Sequence, residues 1–495
     1  MLTLSRTTAG LASALLLAAA CEPQPPETPR SPAPPVTTVT ATAPATAPAA
    51  GPRVKAVDLA AVGLDADALD RRADPCQDFY QFTCGGWIEK AQIPADRPLT
   101  SRGFVAITER NEEALRKILE EARARPDADP ISQKIGAFYG TCMDEAAVER
   151  AGLDGIAPLL TSIKNVKDKT TLLAALSELH RRQIWALFSV EDEQDFKDAS
   201  KEIVELDQSG LGLPDRDSYF RKDDKSQKIR ATYQEHVEKM LGFAGFKGKD
   251  AKKAAEDILA LETALAQASK TRVERRDPAG MYNKIDLPGI AKAAPAVDWK
   301  AYFKSIGLPG VNDVNVTHVA FFEKVNELVE TTRPAVWKSY LTWHVLRSSS
   351  QLLPRAVQDE AFRMEAAITG QKEQRARWKK CVAATDASLG ELLAQPFVKT
   401  RFSPAAKEAM ERYVAEISRA FAEQVTRLDW MDAATQKRAM EKLSKMAYLV
   451  GYPGKWRSYD FAVEPKSWWK TGLAARAFDQ QNRLGRVGKP VDRGR

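Results

Sequence analysis

The sequence lacks several features that would place it in a common functional class. Beyond residue 20, no apolar run approaches the ~18 residues that a membrane-spanning helix requires. The 73 Lys and Arg residues exceed the 66 Asp and Glu residues, but the two signs alternate along the chain, except in the short tail 483–495. A nucleic-acid binder gathers positive charge on a patch, and a solenoid shows a repeat of about 20–50 residues. These absences predict a globular body that is not an integral membrane protein, binds no nucleic acid and is not a solenoid.

Residues 1–20 have the composition of a secretory signal peptide. Arg6 precedes an Ala- and Leu-rich run from Gly10 to Ala20. The run ends in small residues followed directly by Cys21, which resembles the bacterial lipobox, in which the thiol receives a diacylglyceryl group. We therefore predict an exported protein, lipid-anchored through Cys21 at the bacterial cell envelope, on the periplasmic or outer-membrane face. The alternative is an ordinary signal peptide followed by an unmodified cysteine.

Residues 21–53 are rich in Pro, Ala and Thr and have almost no large apolar side chains. Such a segment cannot bury enough surface to offset the entropy lost on ordering. We predict that it is a disordered tether, and that the globular body begins near Val54.

The body has the periodicity of amphipathic helices. The clearest case starts at Ser403, which suits an N-cap, and Pro404, which suits the first helical position. One apolar face then recurs at steps of three and four, and its residues are Met410, Val414, Ile417, Phe421, Val425 and Leu428. Similar patterns occupy 112–125, 251–265 and 433–447, whereas Ile203–Leu206 is the best candidate for a short strand. The predicted class is mainly α.

Four cysteines follow Cys21, and in an exported protein they are disulfide candidates with three possible pairings. Two of them lie in Asp74–Trp87, whose sequence is DPCQDFYQFTCGGW. This block resembles the start of the neprilysin and endothelin-converting-enzyme family of zinc metallopeptidases. Further blocks match the family in order along residues 70–493: Ile93–Asp96, Lys134–Tyr139, Gly212–Tyr219, Arg272–Pro278, Val314–Val316, Trp337–Leu341, Leu428–Met431, Gly451–Pro453 and Gly488–Arg493.

The resemblance implies a fold of two mainly helical lobes that enclose a cavity for short peptides. This chain would form the larger helical lobe, with residues 54–480 as the N-terminal peptidase domain. Residues 481–495 would be the truncated start of the catalytic domain.

The family binds zinc through two His of a helical HExxH segment and a Glu further along, in an ExxxD segment. His at i and i+4 share one helix face, and the intervening Glu can act as the base on the metal-bound water. The resemblance places these residues after the block that ends at Arg493. None of the four His in this chain opens an HExxH segment. We therefore predict no catalytic or metal-ligating residue in this chain, and zinc only in the complete family enzyme.

Each histidine has another interpretation. His236 begins HVEKM, with Met where the second ligand would stand, and it lies on an apolar helical stripe. We expect it in the core or at its boundary. His180 adjoins two arginines and is expected to face solvent, whereas His318 and His344 are expected in apolar surroundings without nearby acidic partners.

The resemblance also implies a disulfide between Cys142 and Cys381. The family partners of Cys76 and Cys84 belong to the catalytic domain, so these two thiols are expected to be unpaired. Two unpaired thiols in an exported protein suggest a chain that has lost its C-terminal part. The alternative is a bridge between Cys76 and Cys84.

Two further positions have a possible role in binding or modification. Arg102 lies near where some relatives use an Arg to bind the terminal carboxylate of a peptide, a task that suits the guanidinium fork. A solvent-exposed Arg102 without that role is the alternative. Asn315-Val316-Thr317 fits a glycosylation sequon, although the resemblance interprets it as a structural block.

Three functional hypotheses follow. The first is a lipid-anchored zinc endopeptidase whose zinc-bearing part is missing from this chain, which alone would be inactive. The second is a peptide-capturing or scaffolding lipoprotein without catalysis, and it predicts a self-contained surface. The third is half of a split enzyme, completed in trans by a separate zinc-bearing domain, and it predicts a large exposed apolar patch.

Overall fold

The computed structural model describes residues 65–494. The predicted signal peptide, the lipidation site Cys21 and the tether therefore lie outside the described residues. The described chain forms two compact units, residues 65–100 and residues 101–494. In this part of the chain, no helix has the length and apolarity needed to span a bilayer.

The first unit is built around helix α1, Phe79–Lys90. Asp78 caps the helix by accepting a hydrogen bond from the Gln81 amide. A close approach explains Gly86, because a Cβ there would lie 2.7 Å from the carbonyl oxygens of Asp67 and Leu69. This packing holds a short turn of 3-10 helix against α1.

The second unit is mainly helical, which confirms the predicted class. Its helices are α2 Phe104–Ala124, α3 Pro130–Met143, α4 Glu145–Ala151, α5 Ala157–Lys164, α6 Lys169–His180, α7 Asp224–Phe243, α8 Gly248–Ala268, α9 Leu287–Ala293, α10 Trp299–Ser305, α11 Val319–Thr331, α12 Pro334–Ser349, α13 Arg355–Thr369, α14 Arg377–Arg401, α15 Pro404–Val425, α16 Ala433–Ser444 and α17 Trp468–Leu484. Its strands are β1 Phe188–Gln194, β2 Glu202–Gln208, β3 Lys284–Asp286 and β4 Asp313–Val316.

Polar residues start many of these helices. Ser403 caps α15 by accepting from the Ala406 amide, and Pro404 follows it, as predicted. Asp168 and Asp432 cap α6 and α16 in the same way. These side chains satisfy amide donors that have no partner inside the helix.

The four strands form one small sheet in the order β1-β2-β4-β3. β2 pairs antiparallel with β1 and parallel with β4, and β3 pairs antiparallel with β4. The predicted strand Ile203–Leu206 is confirmed within β2, but the prediction missed the other three strands. β1 reads FSVEDEQ, and its three acidic residues obscure the alternation that indicates a strand.

Aromatic side chains fill the core beside this sheet. Phe188 of β1 contacts Trp299, Tyr302 and Phe322, with ring centroids 5.4–5.7 Å apart. All four rings are buried. The core thereby joins the sheet to helices α10 and α11.

One disulfide joins two helices of the second unit. Cys142 of α3 and Cys381 of α14 are bonded, with their Cα atoms 5.6 Å apart. This is the pairing that the resemblance implied. Cys76 and Cys84 of the first unit are free thiols, and Cys76 is exposed.

The chain after α17 pairs with the first residue of β2. The Glu202 amide donates to the Lys489 carbonyl (3.1 Å), and the Gly488 amide donates to the Glu202 carbonyl (2.9 Å). The boundary predicted at residue 480 falls inside α17, which ends at Leu484. The division into an N-terminal and a catalytic domain stays a prediction.

Candidate functional site

The histidines have structural partners rather than a common site. His236 is buried as predicted, and its Nδ1 lies 2.8 Å from the Glu360 carboxylate. The prediction for His180 was wrong. Its ring is fully buried, within 2.7 Å of the Tyr302 hydroxyl and 2.9 Å of the Ala186 carbonyl oxygen, and burial lowers the pKa of His180 to about 4. The last turn of α6 faces the core, which the flanking arginines did not reveal.

The expectation that the other two histidines have no acidic groups nearby was wrong. His344 is buried, but its Nε2 lies 3.9 Å from a carboxylate oxygen of Glu262. His318 lines an open cavity of about 600 Å³ that Glu274 and Glu323 also line. Glu262 and Glu274 come from distant chain segments, so local sequence could not show that they approach the two histidines.

The residues of the described chain do not fit a zinc site. Within residues 65–494, no group of three or more His, Cys, Asp or Glu side chains is placed to hold a metal ion. We therefore derive no catalytic step through zinc from these residues.

The most conspicuous surface is an apolar face on α15. The face consists of Met410, Tyr413, Ile417 and Phe421, which recur at steps of three and four, and we call it the α15 face. Their exposed fractions are 46%, 65%, 69% and 50%. Within the whole 22-residue helix only Val425 is buried. The sequence therefore predicted the helix and its apolar stripe, but Met410, Ile417 and Phe421 of this stripe remain exposed in the described chain.

The adjoining segments extend this exposed apolar surface. α16 contains no buried residue. The Tyr448 hydroxyl lies 2.8 Å from the Ser418 hydroxyl of α15, and the Tyr448 side chain is itself exposed. Lys407 donates to the Tyr452 carbonyl (3.1 Å). Polar contacts thus join α15 to the segment that follows α16, while the apolar side chains of the α15 face remain exposed.

A second feature is a carboxylate-rich row on the sheet. Glu191 of β1 lies directly opposite Glu205 of β2 in the strand register. Asp207 lies two residues further along β2 and binds Arg275 through two hydrogen bonds of 2.8 and 2.7 Å. The Asn315 side-chain amide donates to Glu205 (2.9 Å). Periodicity predicted the strand but not this cluster, although the three acidic residues of EIVELDQ were a visible signal.

The two remaining predicted positions have different surroundings. Arg102 is exposed just before α2, and its role in binding a peptide carboxylate stays a prediction. Asn315 is buried, and its amide also donates to the Met281 carbonyl (3.1 Å). The environment of Asn315 agrees with its interpretation as a structural block.

The sequence of this helical fold matches a known family. A model of peptidase family M13 matches residues 75–453. The chain belongs to peptidase family M13. This is the zinc metallopeptidase family that includes the endothelin-converting enzymes, so the resemblance to neprilysin and endothelin-converting enzyme is confirmed.

Named relatives support the assignment to M13. The chain is 31% identical over 472 residues to human endothelin-converting enzyme-like 1, covering 89% of this chain and 60% of that protein. It is 30% identical over 417 residues to bovine endothelin-converting enzyme 1, covering 81% of this chain and 53% of that protein. The chain thus spans little more than half the length of these relatives.

Solved M13 structures share the fold. The inhibitor complex of a zinc metalloprotease from Mycobacterium tuberculosis superposes with a TM-score of 0.82 at 30% identity, covering 88% of this chain and 66% of that chain. PEPO from Lactobacillus rhamnosis superposes with a TM-score of 0.74, covering 86% of this chain and 67% of that chain. Because its identity is only 18%, this second match supports the fold alone.

Proposed function

We propose that this chain forms the helical, non-catalytic lobe of an M13 zinc endopeptidase that hydrolyses short peptides, and that it is inactive alone. Hydrolysis would require a polypeptide that carries the HExxH and ExxxD segments and docks on the α15 face. Membership in M13 supports the reaction class. The exposure of the α15 face is the single observation that supports docking of a second polypeptide there.

The energetics of the α15 face support a partner. An amphipathic helix gains most of its stability by packing its apolar stripe, since an isolated helix is marginal in water. Burying one side chain the size of Ile or Phe stabilises a protein by about 1.5–3 kcal/mol. Covering Met410, Ile417 and Phe421 would therefore contribute several kcal/mol to association, before the entropic cost of binding.

The same surface weighs against the non-catalytic alternative. A self-contained peptide-binding or scaffold lipoprotein would keep its apolar side chains covered, because exposed apolar patches favour association. The α15 face is instead consistent with a lobe that is completed either by further polypeptide or by a separate chain in trans. We further propose that Cys21 anchors this lobe at the cell envelope, with residues 21–53 as the tether.

In the proposed complex, zinc would polarise the peptide carbonyl and activate water. The contribution of this chain would be to bind and orient the peptide. Arg102 is our candidate for its terminal carboxylate, since a guanidinium can bind a carboxylate through two hydrogen bonds.

Reconstitution tests the proposal. The chain is mixed with the zinc-bearing C-terminal segment of the M. tuberculosis enzyme, and cleavage of a fluorogenic short peptide is measured with and without a chelator. We expect chelator-sensitive cleavage by the mixture, and neither component alone should show it. Chelator-sensitive cleavage by the purified chain alone would overturn the proposal.

A matched pair of variants tests the docking face. Ile417→Asp places a charge on the α15 face and should weaken association at least tenfold. Ala415→Asp places the same charge on an exposed position about 160° around the helix from Ile417, and it should leave association unchanged. Equal effects of the two variants would exclude the α15 face as the docking site.

A further inference from the structure

One side of the small sheet brings carboxylates together in register. Glu191 lies opposite Glu205, and Glu193 lies opposite Ile203, one position along the same side of β2. Asp207 completes the group on β2. Like charges directly opposite each other on neighbouring strands destabilise the pairing. An arrangement of this kind needs compensation from cations or from protons.

Cations compensate two of these carboxylates. Asp207 is bound by Arg275, and the Thr317 hydroxyl also donates to it. Glu191 accepts a hydrogen bond of 2.7 Å from Arg483 of α17. Each of these two carboxylates therefore has a cationic partner beside the strand pair.

Glu205 has a different environment. In the described chain its carboxylate accepts from the neutral Asn315 amide and forms no ion pair. Burial is the main cause that raises the pKa of Glu205 to about 7, and the charges of Asp207, Glu193 and Glu191 act in the same direction. The Asn315 hydrogen bond opposes them and does not outweigh them.

We propose that Glu205 is a proton-controlled lock on the β1–β2 hairpin. When its carboxyl is neutral, the hairpin contains no unpaired charge opposite Glu191 and stays closed. When the proton leaves, the new carboxylate repels Glu191, and β1 loosens at its pairing with β2.

The sign of the effect follows from linkage. The carboxyl binds its proton more tightly in the closed hairpin than in the open chain, so the closed state gains stability at low pH. This gain is complete below the ordinary pKa of 4.5 and is lost as pH rises through about 7.

Several other charged groups lie on the strands and helices around Glu205. They are Glu191 and Glu193 from β1, Glu202 and Asp207 from β2, Arg275 from the turn after α8, and Arg483 from α17. The pKa of the Glu193 carboxyl is also raised, and burial is the main cause. Its side chain is nevertheless more exposed than that of Glu205.

Hydrogen–deuterium exchange of residues 188–208 in the full chain tests the lock. Protection factors, corrected for the intrinsic pH dependence of exchange, are measured between pH 5.5 and 8.5. In the wild type we expect protection to fall on the order of tenfold across this range. Glu205→Gln should remove the dependence, and the remote exposed change Glu256→Gln should retain it.

A second variant keeps the test decisive if Glu205→Gln does not fold. Glu191→Gln removes the opposing carboxylate, while Arg483 keeps its bond to Asp192 (3.0 Å). The transition should then move to lower pH. A wild-type profile without a transition, or a transition unchanged in Glu191→Gln and Glu205→Gln, would overturn the proposal.

Discussion

At the scale of single residues, the backbone dihedral angle of Lys466 affects the stability of the folded protein. Its φ is 60°, in the left-handed region that favours glycine. The side chain is exposed, just before helix α17. The chain therefore holds a strained conformation at this position without a buried side chain to offset it.

We predict that Lys466→Gly leaves stability unchanged or raises it, by up to about 1 kcal/mol, because relief of the strain offsets the added flexibility of the unfolded chain. The measurement is urea-induced unfolding followed by circular dichroism. Lys470→Gly is the control, since that residue lies inside α17 and its replacement should lower stability by about 1 kcal/mol. A loss of stability at Lys466 as large as the loss at Lys470 would contradict the prediction.

At the scale of secondary-structure elements, the close contact between two helices depends on a single glycine. Gly136 of α3 faces α2, and a Cβ at this position would lie 2.6 Å from the carbonyl carbon and oxygen of Ala122. Gly140 lies one turn further along α3, and the nearest heavy atom to its added Cβ would be 3.7 Å away, on the Arg123 side chain. The two glycines share a helix and differ only in the space around them.

We predict that Gly136→Ala destabilises the protein by about 2–3 kcal/mol, because α2 and α3 must separate to accept the methyl group. Gly140→Ala should be neutral or stabilise by up to about 1 kcal/mol, through the higher helix propensity of alanine. Thermal unfolding of both variants beside the wild type measures the difference. Similar melting temperatures for the two variants would show that the α2–α3 contact is looser than described.

At the scale of the whole molecule, a disulfide joins distant parts of the described chain. The disulfide connects residues separated by 239 positions. In the chain-entropy model a loop of this size stabilises the folded state by about 5 kcal/mol. Disulfides persist in oxidising compartments outside the cytosol, which agrees with the predicted export.

The anchoring proposal also concerns the whole molecule. We predict that the wild-type protein, expressed in a bacterium, incorporates a labelled fatty acid and fractionates with membranes. Cys21→Ser should abolish labelling and release the protein, because the thiol is the proposed acceptor. Cys76→Ser is the control and should retain the label. An unlabelled wild-type protein would favour the ordinary signal peptide.

Local sequence was sufficient for features that depend on neighbouring residues. Helix caps act within one turn, so Ser403 and Pro404 marked the start of α15 correctly. The family blocks identified M13 and implied the Cys142–Cys381 pair, because residues at these positions are constrained together by one fold. The mainly helical class followed from periodicity for the same reason.

Features that depend on distant segments could not be predicted in this way. Periodicity identifies the stripe on α15, but it does not say whether another element covers Ile417 and Phe421. His180 was expected to face solvent, and this was wrong. Its ring lies in the core beside Tyr302, which is more than a hundred residues away in the chain. The protonation of Glu205 depends on Asn315 of β4 and on the strand opposite. Burial and electrostatic environment are sums over spatial neighbours, and chain folding alone determines which residues those are.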